Sequence, residues 1–479
     1  MVLIATLMAS SVALPAIVPW PQSLKALGGS TMLSRNPTIS AATPALRPLA
    51  QELAREIQTL TGVSPAVLSG TKGQIVLRLD STHKGESFLV DTRGQVMVAG
   101  GTYAAVAMGT AELIQCMEKR NASIAFPKLH IEDRPLFGYR GLMLDVARKP
   151  HSIPDLRRAV MLCHVYRVRY LQLHLTDDQG WTFPSTKYPA LGSKNEKYQE
   201  AEASPRYSRE DLEALVRYAD LLGVTIIPEI DTPGHTAAMR RAQPDPFASV
   251  GGTKSDGILD VLEPANVLAV KEILNEADDL FRSSPYLHIG GDEAEIDQLK
   301  KQPTYAQRLK QGDYESPWDL FLEYINDLGA SVHARGKTPI VWEFYRNHLG
   351  HNIRLPEGSI IMAWEDGSNG ARQMLDHGYS VINVPWTVGY RSNPKDHFLS
   401  NPYNVNGTLT KPGEHMLGLQ LNVWESTPDQ EWPALRASLP ARMETAWRYP
   451  VGTTFAEFQA RFQVADRIFG KLAGLAPDR

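Results

Sequence analysis

Short apolar runs of five to seven residues recur along the chain after Pro135, and stretches with helical periodicity separate them. Near-continuous apolar strands that alternate with helices are typical of a parallel sheet covered on both faces. Eight such strands predict a closed (β/α)8 TIM barrel, and a doubly wound open sheet is the alternative. The eight runs are residues 141–146, 170–175, 225–230, 286–290, 338–342, 359–364, 380–384 and 418–424.

The pattern before Pro135 is different. Strand-like runs at 74–79, 88–90 and 95–99 precede a stretch with helical spacing of apolar residues at 102–119. A charged segment with a proline, residues 132–135, forms a plausible junction. The sequence therefore predicts a small N-terminal α/β domain (an α+β sandwich) over residues 17–133, and a barrel domain over residues 134–479.

Residues 1–16 form an apolar run with small residues near its end, which is typical of a secretory signal peptide. The first positive charge is Lys25, so the basic leading segment is missing. A truncated start or a buried N-terminal strand would give the same pattern. We expect a signal peptide over residues 1–16 and a periplasmic or secreted protein. No other stretch approaches the roughly 18 apolar residues of a membrane helix, so no membrane span is expected.

Charge and cysteine content narrow the function classes. The 479 residues contain 49 Lys and Arg against 53 Asp and Glu, without a basic block. A protein that binds nucleic acid needs a basic surface to contact phosphates, so we expect no nucleic-acid partner. The two cysteines, Cys116 and Cys163, are too few for a disulfide framework or a four-cysteine zinc site.

Polar and aromatic side chains cluster where the predicted strands end. In a barrel the carboxyl ends of the strands converge on one rim, where active sites of this fold lie, and this placement favours the barrel over the open sheet. The residues concerned are Asp145, His174, Asp177, Asp178, Glu229, Asp231, His235, Asp292, Glu293, Trp342, Glu343, Trp364, Glu365, Asp366, Trp424 and Glu425.

The segment His288-Ile289-Gly290-Gly291-Asp292-Glu293 carries the strongest candidate for catalysis. Its glycines allow a tight turn at the strand end, which delivers two adjacent carboxylates to the rim. Two carboxylates in a partly apolar site do not ionise equally, so we expect one to stay protonated as an acid while the other is anionic. Glycosidic bond cleavage requires one protonated and one ionised group of this kind. The alternative is a solvated surface pair.

Three tryptophans, Trp342, Trp364 and Trp424, close predicted strands, and Trp386 follows the seventh. Any single indole is as readily explained by core packing. Three at equivalent strand ends instead predict aromatic walls that stack on sugar rings or enclose a small apolar substituent such as an acetyl methyl group. The expected partner is a carbohydrate substrate.

Histidines and an arginine accompany these groups. His174 and His235, near Asp177, Asp178, Asp231 and His288, leave a zinc site as an alternative, but no H-x-H or H-E-x-x-H spacing occurs. Hydrogen bonding that orients the carboxylate pair is the preferred interpretation, so we expect no metal and no cofactor. Arg140, at the start of the first barrel strand, is either a surface residue or a buried cation that requires an anionic or hydroxyl-rich partner.

Four segments together resemble the glycoside hydrolase family 20 β-N-acetylhexosaminidases: YRGLMLDVAR (139–148), LHLTDDQGW (173–181), PEIDTPGH (228–235) and HIGGDE (288–293). The resemblance extends over nearly the whole chain. It implies an exo-acting retaining hydrolase of terminal β-linked N-acetylglucosamine or N-acetylgalactosamine. In substrate-assisted catalysis, the acetamido group of the substrate replaces the enzyme nucleophile and forms an oxazolinium intermediate.

The same resemblance implies roles for individual residues. Glu293 would be the general acid, and Asp292, ionised, would hold the acetamido N–H and stabilise the intermediate. Trp342, Trp364 and Trp424 would enclose the acetamido group, and Tyr390 would donate a hydrogen bond to its oxygen. Arg140 would bind the ring hydroxyls. The remaining substrate-binding and supporting residues would be Asp145, His174, Asp177, Asp178, His235 and Glu425.

The chain departs from the family pattern at two places. Tyr390-Arg391-Ser392 stands where the family usually has Tyr-Leu-Asp, and Trp424-Glu425-Ser426 stands where it usually has Trp-x-Glu. Both missing acids normally bind hydroxyls on the far side of the sugar, so the exact sugar is open. An arginine beside Ser392 would suit a negatively charged substituent such as a 6-sulfate. A sugar-binding protein without turnover is the alternative function.

Overall fold

The computed structural model describes residues 14–192, 206–250, 257–343, 355–365, 370–385, 393–405 and 408–475. The chain divides into two compact units, one formed by the residues up to Pro135 together with Val451–Arg479, and the other by Leu136–Pro450. The first boundary lies within two residues of the predicted one. The second boundary was not predicted, because we expected the barrel domain to continue to residue 479.

The first unit begins with a mixed sheet and two helices. Its elements are β1 (Ser23–Met32), β2 (Thr38–Ala41), α1 (Arg47–Thr61), β3 (Ala66–Ser69), β4 (Ile75–Leu79), β5 (Phe88–Asp91), β6 (Val96–Gly100), α2 (Tyr103–Gln115), β7 (Glu118–Arg120) and β8 (Ser123–Asp133). Among the described residues the strand order is β1-β8-β5-β6-β4-β2-β3, with β7 paired to β8. Helix α2 packs on β5 and β6, and α1 packs on β2 and β3.

The C-terminal helix, Phe455–Leu472, belongs to this first unit because its partners lie there. It contacts α1, and the guanidinium of Arg461 donates to the carbonyl oxygen of Ile17 at 2.6 Å. The same guanidinium lies 5.0 Å from the ring centroid of Trp20. These contacts, between segments more than 400 residues apart, explain why the barrel domain ends earlier than the sequence pattern indicates.

The second unit is the barrel. Its elements are β9 (Tyr139–Asp145), α3 (Ile153–Val165), β10 (Tyr170–His174), α4 (Arg209–Leu221), β11 (Thr225–Glu229), α5 (Ala237–Ala242), α6 (Pro264–Leu280), β12 (Tyr286–His288), α7 (Tyr305–Gly312), α8 (Pro317–Ala334), β13 (Thr338–Trp342), β14 (Ile360–Ala363), α9 (Gly370–Asp376), β15 (Ser380–Asn383), α10 (Pro394–Leu399), β16 (Asn404–Val405), β17 (Thr408–Leu409), β18 (Met416–Val423) and α11 (Pro428–Trp447).

Eight parallel strands of this described region close in the order β9-β10-β11-β12-β13-β14-β15-β18, and β18 pairs back to β9. Each coincides with one of the eight apolar runs, so the predicted (β/α)8 barrel is confirmed. The strand register aligns Asp145 with His174, His174 with Glu229, and Glu229 with His288. Four polar side chains from four adjacent strands therefore form one layer at the carboxyl end of the barrel.

The opposite end of the barrel interior is aromatic and apolar. Tyr139 and Tyr170 stack with ring centroids 4.8 Å apart, and Ile227, Ile340 and Ile382 pack in the same cluster. The interior therefore changes from apolar to charged along the strands. Among the residues that the structure describes, no helix combines the length and the apolar character needed to cross a membrane.

Candidate active site

A pocket opens on the rim formed by the carboxyl ends of the strands, and we call it the rim pocket. Among the described residues, its lining consists of Arg148, His174, Asp177, Asp231, His235, Asp292, Glu293, Trp342, Trp364, Trp424 and Glu425. The structure thus brings together nine of the residues predicted from the sequence to be catalytic or substrate-binding. Two lining residues, Arg148 and Asp231, were not in this predicted set, although Asp231 was expected at the rim.

The carboxylate pair follows β12, where the backbone must turn tightly. Gly290 has φ +75°, and a Cβ atom there would lie 1.8 Å from Oδ1 of Asp231, so only glycine fits. Glu293 itself has φ +47°, a conformation that costs free energy in a residue with a side chain. The turn leaves the Asp292 side chain 13% exposed and the Glu293 side chain 59% exposed.

His235 lies between the two carboxylates and a third acid. Its Nε2 is 3.4 Å from Oε2 of Glu293 and 3.9 Å from Oδ2 of Asp292, and its Nδ1 is 3.3 Å from Oδ1 of Asp177. Burial acts to lower the pKa of His235, but hydrogen bonds to Asp177 and Glu293 and the charge of Asp292 outweigh it and raise the pKa well above 6.5. His235 is therefore cationic near neutrality.

The ionisation of Glu293 in the unliganded protein differs from the sequence expectation. Burial raises the pKa of Asp292, whereas the hydrogen bond to His235 lowers the pKa of Glu293. The reason is positional, because Asp292 lies deep in the pocket while Glu293 is more exposed and nearer the histidine. The proton expected on Glu293 is thus held next to it, on His235.

Asp231 is the first residue that the predicted set omitted. Its Oδ1 accepts a hydrogen bond from the backbone N–H of Gly291 at 3.1 Å, and its carboxyl group also bonds to Asp292. Burial and the charge of Asp292 raise the pKa of Asp231 well above its usual range. Asp231 therefore carries the proton of this buried carboxyl pair. The signal was present, since Asp231 lies in the PEIDTPGH segment.

Arg148 is the second omitted residue, and it replaces Arg140 as the arginine of the site. Its guanidinium contacts Asp177 at 2.6 Å, Asp145 at 3.1 Å and Glu425 at 4.0 Å. Burial acts to lower its pKa, but Asp177 and Asp145 raise it, so Arg148 stays charged. It lies at the carboxyl end of the first barrel strand, within the segment 139–148 that carried the resemblance.

Arg140, in contrast, does not reach the rim pocket, and the predicted role in binding sugar hydroxyls is wrong for this residue. It lies at the start of β9, at the opposite end of the barrel, and is fully buried. Its guanidinium donates to the carbonyl oxygens of Phe137, Gly138 and Arg167 at 2.7, 3.1 and 3.0 Å. It therefore has a structural role, in which backbone carbonyl oxygens serve as acceptors that the sequence analysis did not anticipate.

The three indoles line one side of the rim pocket together. The indole N–H of Trp342 donates to Oε1 of Glu229 at 2.6 Å, and that of Trp364 donates to the carbonyl oxygen of Glu343 at 2.7 Å. The rings of Trp342 and Trp424 lie 5.8 Å apart, tilted by 50°. Fixed indoles of this kind provide rigid apolar surface for a ring or a methyl group.

The remaining predicted residues have different placements. Glu425 lines the rim pocket with φ +53°, and its backbone N–H donates to Oδ2 of Asp145 at 3.1 Å. Asp145 itself does not line the pocket but holds Arg148 and the Glu425 backbone. Tyr390 lies outside the described residues, and so do Asp366, Trp386, Arg391 and Ser392.

Three groups of described residues bring potential metal ligands within 4.8 Å of one another: His174 with Glu229 and Asp231, Asp177 with Asp178 and His235, and Asp231 with His235 and Asp292. Several of their atoms contact one another. His174 hydrogen bonds through Nε2 to Asp177 at 2.7 Å and faces Glu229 through Nδ1 at 3.0 Å. Protein cations, His174, His235 and Arg148, neutralise these acids, so the donor set does not require a metal.

The comparisons with known proteins agree with this geometry. The model for the catalytic domain of glycosyl hydrolase family 20 matches residues 137–446, and the model for domain 2 of the same family matches residues 14–134. A β-hexosaminidase from Porphyromonas gingivalis is 26% identical over 94% of this chain, and one from Akkermansia muciniphila is 30% identical over 62% of it. The chain spans 62% and 66% of the length of these two relatives.

Solved structures support the fold. The family 20 β-N-acetylhexosaminidase from Streptomyces coelicolor superimposes with a TM-score of 0.81, at 22% identity over 98% of this chain and 99% of that one. An exo-β-N-acetylglucosaminidase from Vibrio harveyi gives a TM-score of 0.84, at 20% identity over 96% and 78%. At these identities the likeness concerns architecture. Because the catalytic-domain model covers well over half of its residues, the chain belongs to glycosyl hydrolase family 20.

Proposed function

We propose that this protein is a glycoside hydrolase that removes terminal β-linked N-acetylglucosamine or N-acetylgalactosamine from the end of a glycan. The observation that carries the proposal is the Asp292–Glu293 pair, which opens onto an indole-lined pocket in a family 20 catalytic domain. The two relatives compared above are both named β-hexosaminidases. A pocket with aromatic walls and two carboxylates suits an N-acetylated sugar.

The first step would be substrate-assisted. The acetamido oxygen forms a bond to the anomeric carbon, the bond from that carbon to the leaving oxygen breaks, and Glu293 donates a proton to the leaving oxygen. Sugar binding covers the exposed carboxyl group of Glu293, and burial raises the pKa of a carboxyl group. The proton held on His235, 3.4 Å away, is available to Glu293 once the sugar is bound.

Asp292 would accept the acetamido N–H and stabilise the positive charge of the oxazolinium ion. Both tasks require an ionised carboxylate in a dry site. The protonated carboxyl group of Asp231 next to it allows this, because a hydrogen bond donated to Asp292 favours its anionic form. Asp231 therefore keeps the buried pair singly charged while Asp292 faces the substrate.

In the second step, water attacks the anomeric carbon while Glu293 takes its proton, and the acetamido group leaves as the oxazolinium ring opens. Two successive displacements at one carbon retain the β configuration. The indoles of Trp342, Trp364 and Trp424 would hold the acetamido group below the sugar ring. This positioning lowers the entropic part of the activation free energy of the reaction.

The test compares an aryl β-glycoside of N-acetylglucosamine with the matching glucoside, in the presence of chelator. Turnover of the acetamido substrate alone, with β-configured product in the first NMR spectra, would support the proposal. Equal turnover of both substrates would exclude substrate assistance, and loss in chelator would point to a metal.

A sugar-binding protein without turnover remains the second candidate, because the two acids that usually bind hydroxyls are altered. Glu293→Gln distinguishes the two functions, with the exposed Glu295→Gln as matched control. In an enzyme Glu293→Gln abolishes turnover while the control keeps it. In a binding protein neither change alters affinity for N-acetylglucosamine, and no variant turns substrate over.

We further propose that Arg391 allows a 6-sulfated sugar, because a guanidinium binds sulfate oxygens in a bidentate manner. The measurement is the ratio of kcat/KM for 6-sulfated and plain aryl substrates. A ratio that is unchanged in Arg391→Ala would disprove it, and Lys395→Ala, at an exposed cation four positions later in the sequence, is the control.

We also propose that the chain is exported. The apolar run of residues 1–16 supports this, and Ile17 and Val18, which follow it, are buried in the N-terminal unit. N-terminal sequencing of the protein from a fractionated host is the test. Mature protein that still begins at Met1 in the cytoplasm would contradict it.

A further inference from the structure

Glu229, at the end of β11, is a buried carboxylate for which the proposed reaction has no role so far. It is fully buried and does not line the rim pocket. Its Oε1 accepts the indole N–H of Trp342 at 2.6 Å and lies 3.0 Å from Nδ1 of His174. Its Oε2 accepts the amide N–H of Gln172 at 2.7 Å.

The Glu229 carboxylate contacts groups that hold two indoles of the rim pocket in place. It holds Trp342 directly through the indole N–H. It holds Trp424 through His174, whose ring meets the Trp424 ring edge to face at 4.9 Å. Nδ1 of His288 lies 3.7 Å from Glu229, and the His288 ring packs against Trp342 at 4.7 Å. The orientation of both indoles therefore depends on groups that surround one carboxylate.

The same carboxylate begins a chain of alternating charges that ends at the carboxylate pair. Glu229 is followed by His174, then by Asp177 at 2.7 Å, then by His235 at 3.3 Å, which contacts Glu293 at 3.4 Å. Each member contacts only groups of opposite sign along this path. In a buried site with few solvent dipoles, such contacts are strong and each ion stabilises its neighbours.

The ionisation states are consistent with this reading. Burial acts to raise the pKa of Glu229, but the charge of His174 and the hydrogen bonds from His174 and Gln172 lower it to about 2. Burial acts to lower the pKa of His174, but Glu229 and Asp177 raise it well above 6.5. Tyr139, Asp231 and Asp292 also lie within electrostatic reach of Glu229, and His288 is neutral, with a pKa lowered to about 4 mainly by burial.

We infer that Glu229 is a positioning residue with two separable effects: its oxygen fixes the indole wall that binds the acetamido group, and its charge keeps His174 cationic, so that the Asp177–His235 support of Glu293 stays in place. The inference rests on the proposed function, because it assigns these effects to binding and turnover of an N-acetylated sugar. The inference predicts that affinity for the N-acetylated sugar depends on the oxygen of the Glu229 side chain, whereas turnover depends on its charge.

Two substitutions separate the effects. Glu229→Gln keeps the size and an oxygen acceptor for Trp342 but removes the charge, so we expect kcat to fall about 10- to 100-fold. We expect KM and the inhibition constant of N-acetylglucosamine to stay within about threefold of wild type. Glu229→Ala removes both features, so both constants rise by about tenfold or more in addition to the loss of kcat.

Glu431→Gln is the matched control, because Glu431 is equally buried and contacts His151 Nε2 at 3.1 Å away from the rim pocket. We expect its kcat to stay within about twofold of wild type. Equal losses of kcat in Glu229→Gln and the control, or identical KM values in the Gln and Ala variants, would overturn the inference.

Two further measurements keep the inference falsifiable. If the Glu229 variants do not fold, Trp342→Phe removes the same hydrogen bond from the other side. A KM unchanged in that variant would refute the effect of the oxygen on binding.

If the wild-type protein turns over no substrate, the proposed function fails by itself. Calorimetric binding of N-acetylglucosamine to wild type and Glu229→Ala then tests the effect on the pocket separately, and equal affinities would refute it.

Discussion

Arg140 and Arg148 lie at opposite ends of the same strand region. Replacing each with methionine is expected to affect a different property, the stability for Arg140 and the catalytic efficiency for Arg148. In Arg140→Met the apolar side chain fills most of the volume but cannot donate hydrogen bonds. The carbonyl oxygens of Phe137, Gly138 and Arg167 each lose a donor, and the bonds to Phe137 and Arg167 are fully buried. The contact of the guanidinium with the Trp447 ring, 5.1 Å from its centroid, is lost as well.

These losses set the size of the effect on stability. A buried acceptor that loses its partner costs on the order of 1–3 kcal/mol, and the methionine recovers part of this through apolar contact. We therefore expect the free energy of unfolding to fall by about 4 kcal/mol, since three acceptors are involved. For a unit as large as the barrel, about 2 °C per kcal/mol gives a Tm lower by about 8 °C.

The assay is thermal unfolding followed by circular dichroism, together with kcat and KM of the folded protein at 25 °C on an aryl N-acetylglucosaminide. Arg140→Met is expected to lower Tm and leave KM within about twofold. Arg148→Met removes the cation that contacts Asp177 and Asp145, and it is expected to lower kcat/KM by about tenfold or more. An Arg140→Met protein with wild-type Tm and a KM raised by about tenfold would refute this reasoning, because it would indicate that Arg140 binds the sugar.

Three other outcomes follow from the site. Glu293→Gln should lower kcat by about 10²- to 10⁴-fold with little change in the affinity for N-acetylglucosamine, measured by calorimetry; retained turnover would remove Glu293 as the acid. Because the raised pKa of His235 keeps a proton beside Glu293 above pH 6.5, the basic limb of kcat/KM should lie above that pH in wild type. In His235→Asn it should move down towards 4.5, the ordinary value for a glutamate, and an unmoved limb would contradict the shared proton. Gly290→Ala should lower kcat by about tenfold or more, because its Cβ atom displaces Asp231, whereas Gly378→Ala, with similar φ but open space around it, should cost only about 1 kcal/mol of stability and leave kcat unchanged.

Much of the architecture was readable from local pattern. Buried parallel strands are apolar throughout, so each of the eight runs is visible without knowledge of its neighbours. The rim residues were readable for the same reason, because a residue at the end of a run must lie at the end of a barrel strand. In the N-terminal unit, in contrast, the strands β1, β2, β3, β7 and β8 and the helix α1 were missed. No residue of β1 is fully buried, so no continuous apolar run marks this strand in the sequence.

The remaining features could not be predicted, because they depend on contacts between segments that are far apart in the sequence. The C-terminal helix has ordinary helical periodicity, and nothing local indicates that it packs on α1 rather than on the barrel. Arg140 and Arg148 lie eight positions apart in the segment 139–148. They differ only in which end of β9 each one occupies, and thus in whether a carbonyl cluster or Asp177 receives the guanidinium.

The amino-acid sequence by itself thus determined the barrel, the rim and the chemical types gathered there, since periodicity and strand ends are local properties. The tertiary structure decided where the protons lie. Asp231, Asp292 and Glu293 are similar carboxyl groups in sequence, but depth of burial and distance to His235 raise the pKa of the first two and lower that of the third. Burial and distance are properties of the folded chain, because strands far apart in sequence supply the groups that create them.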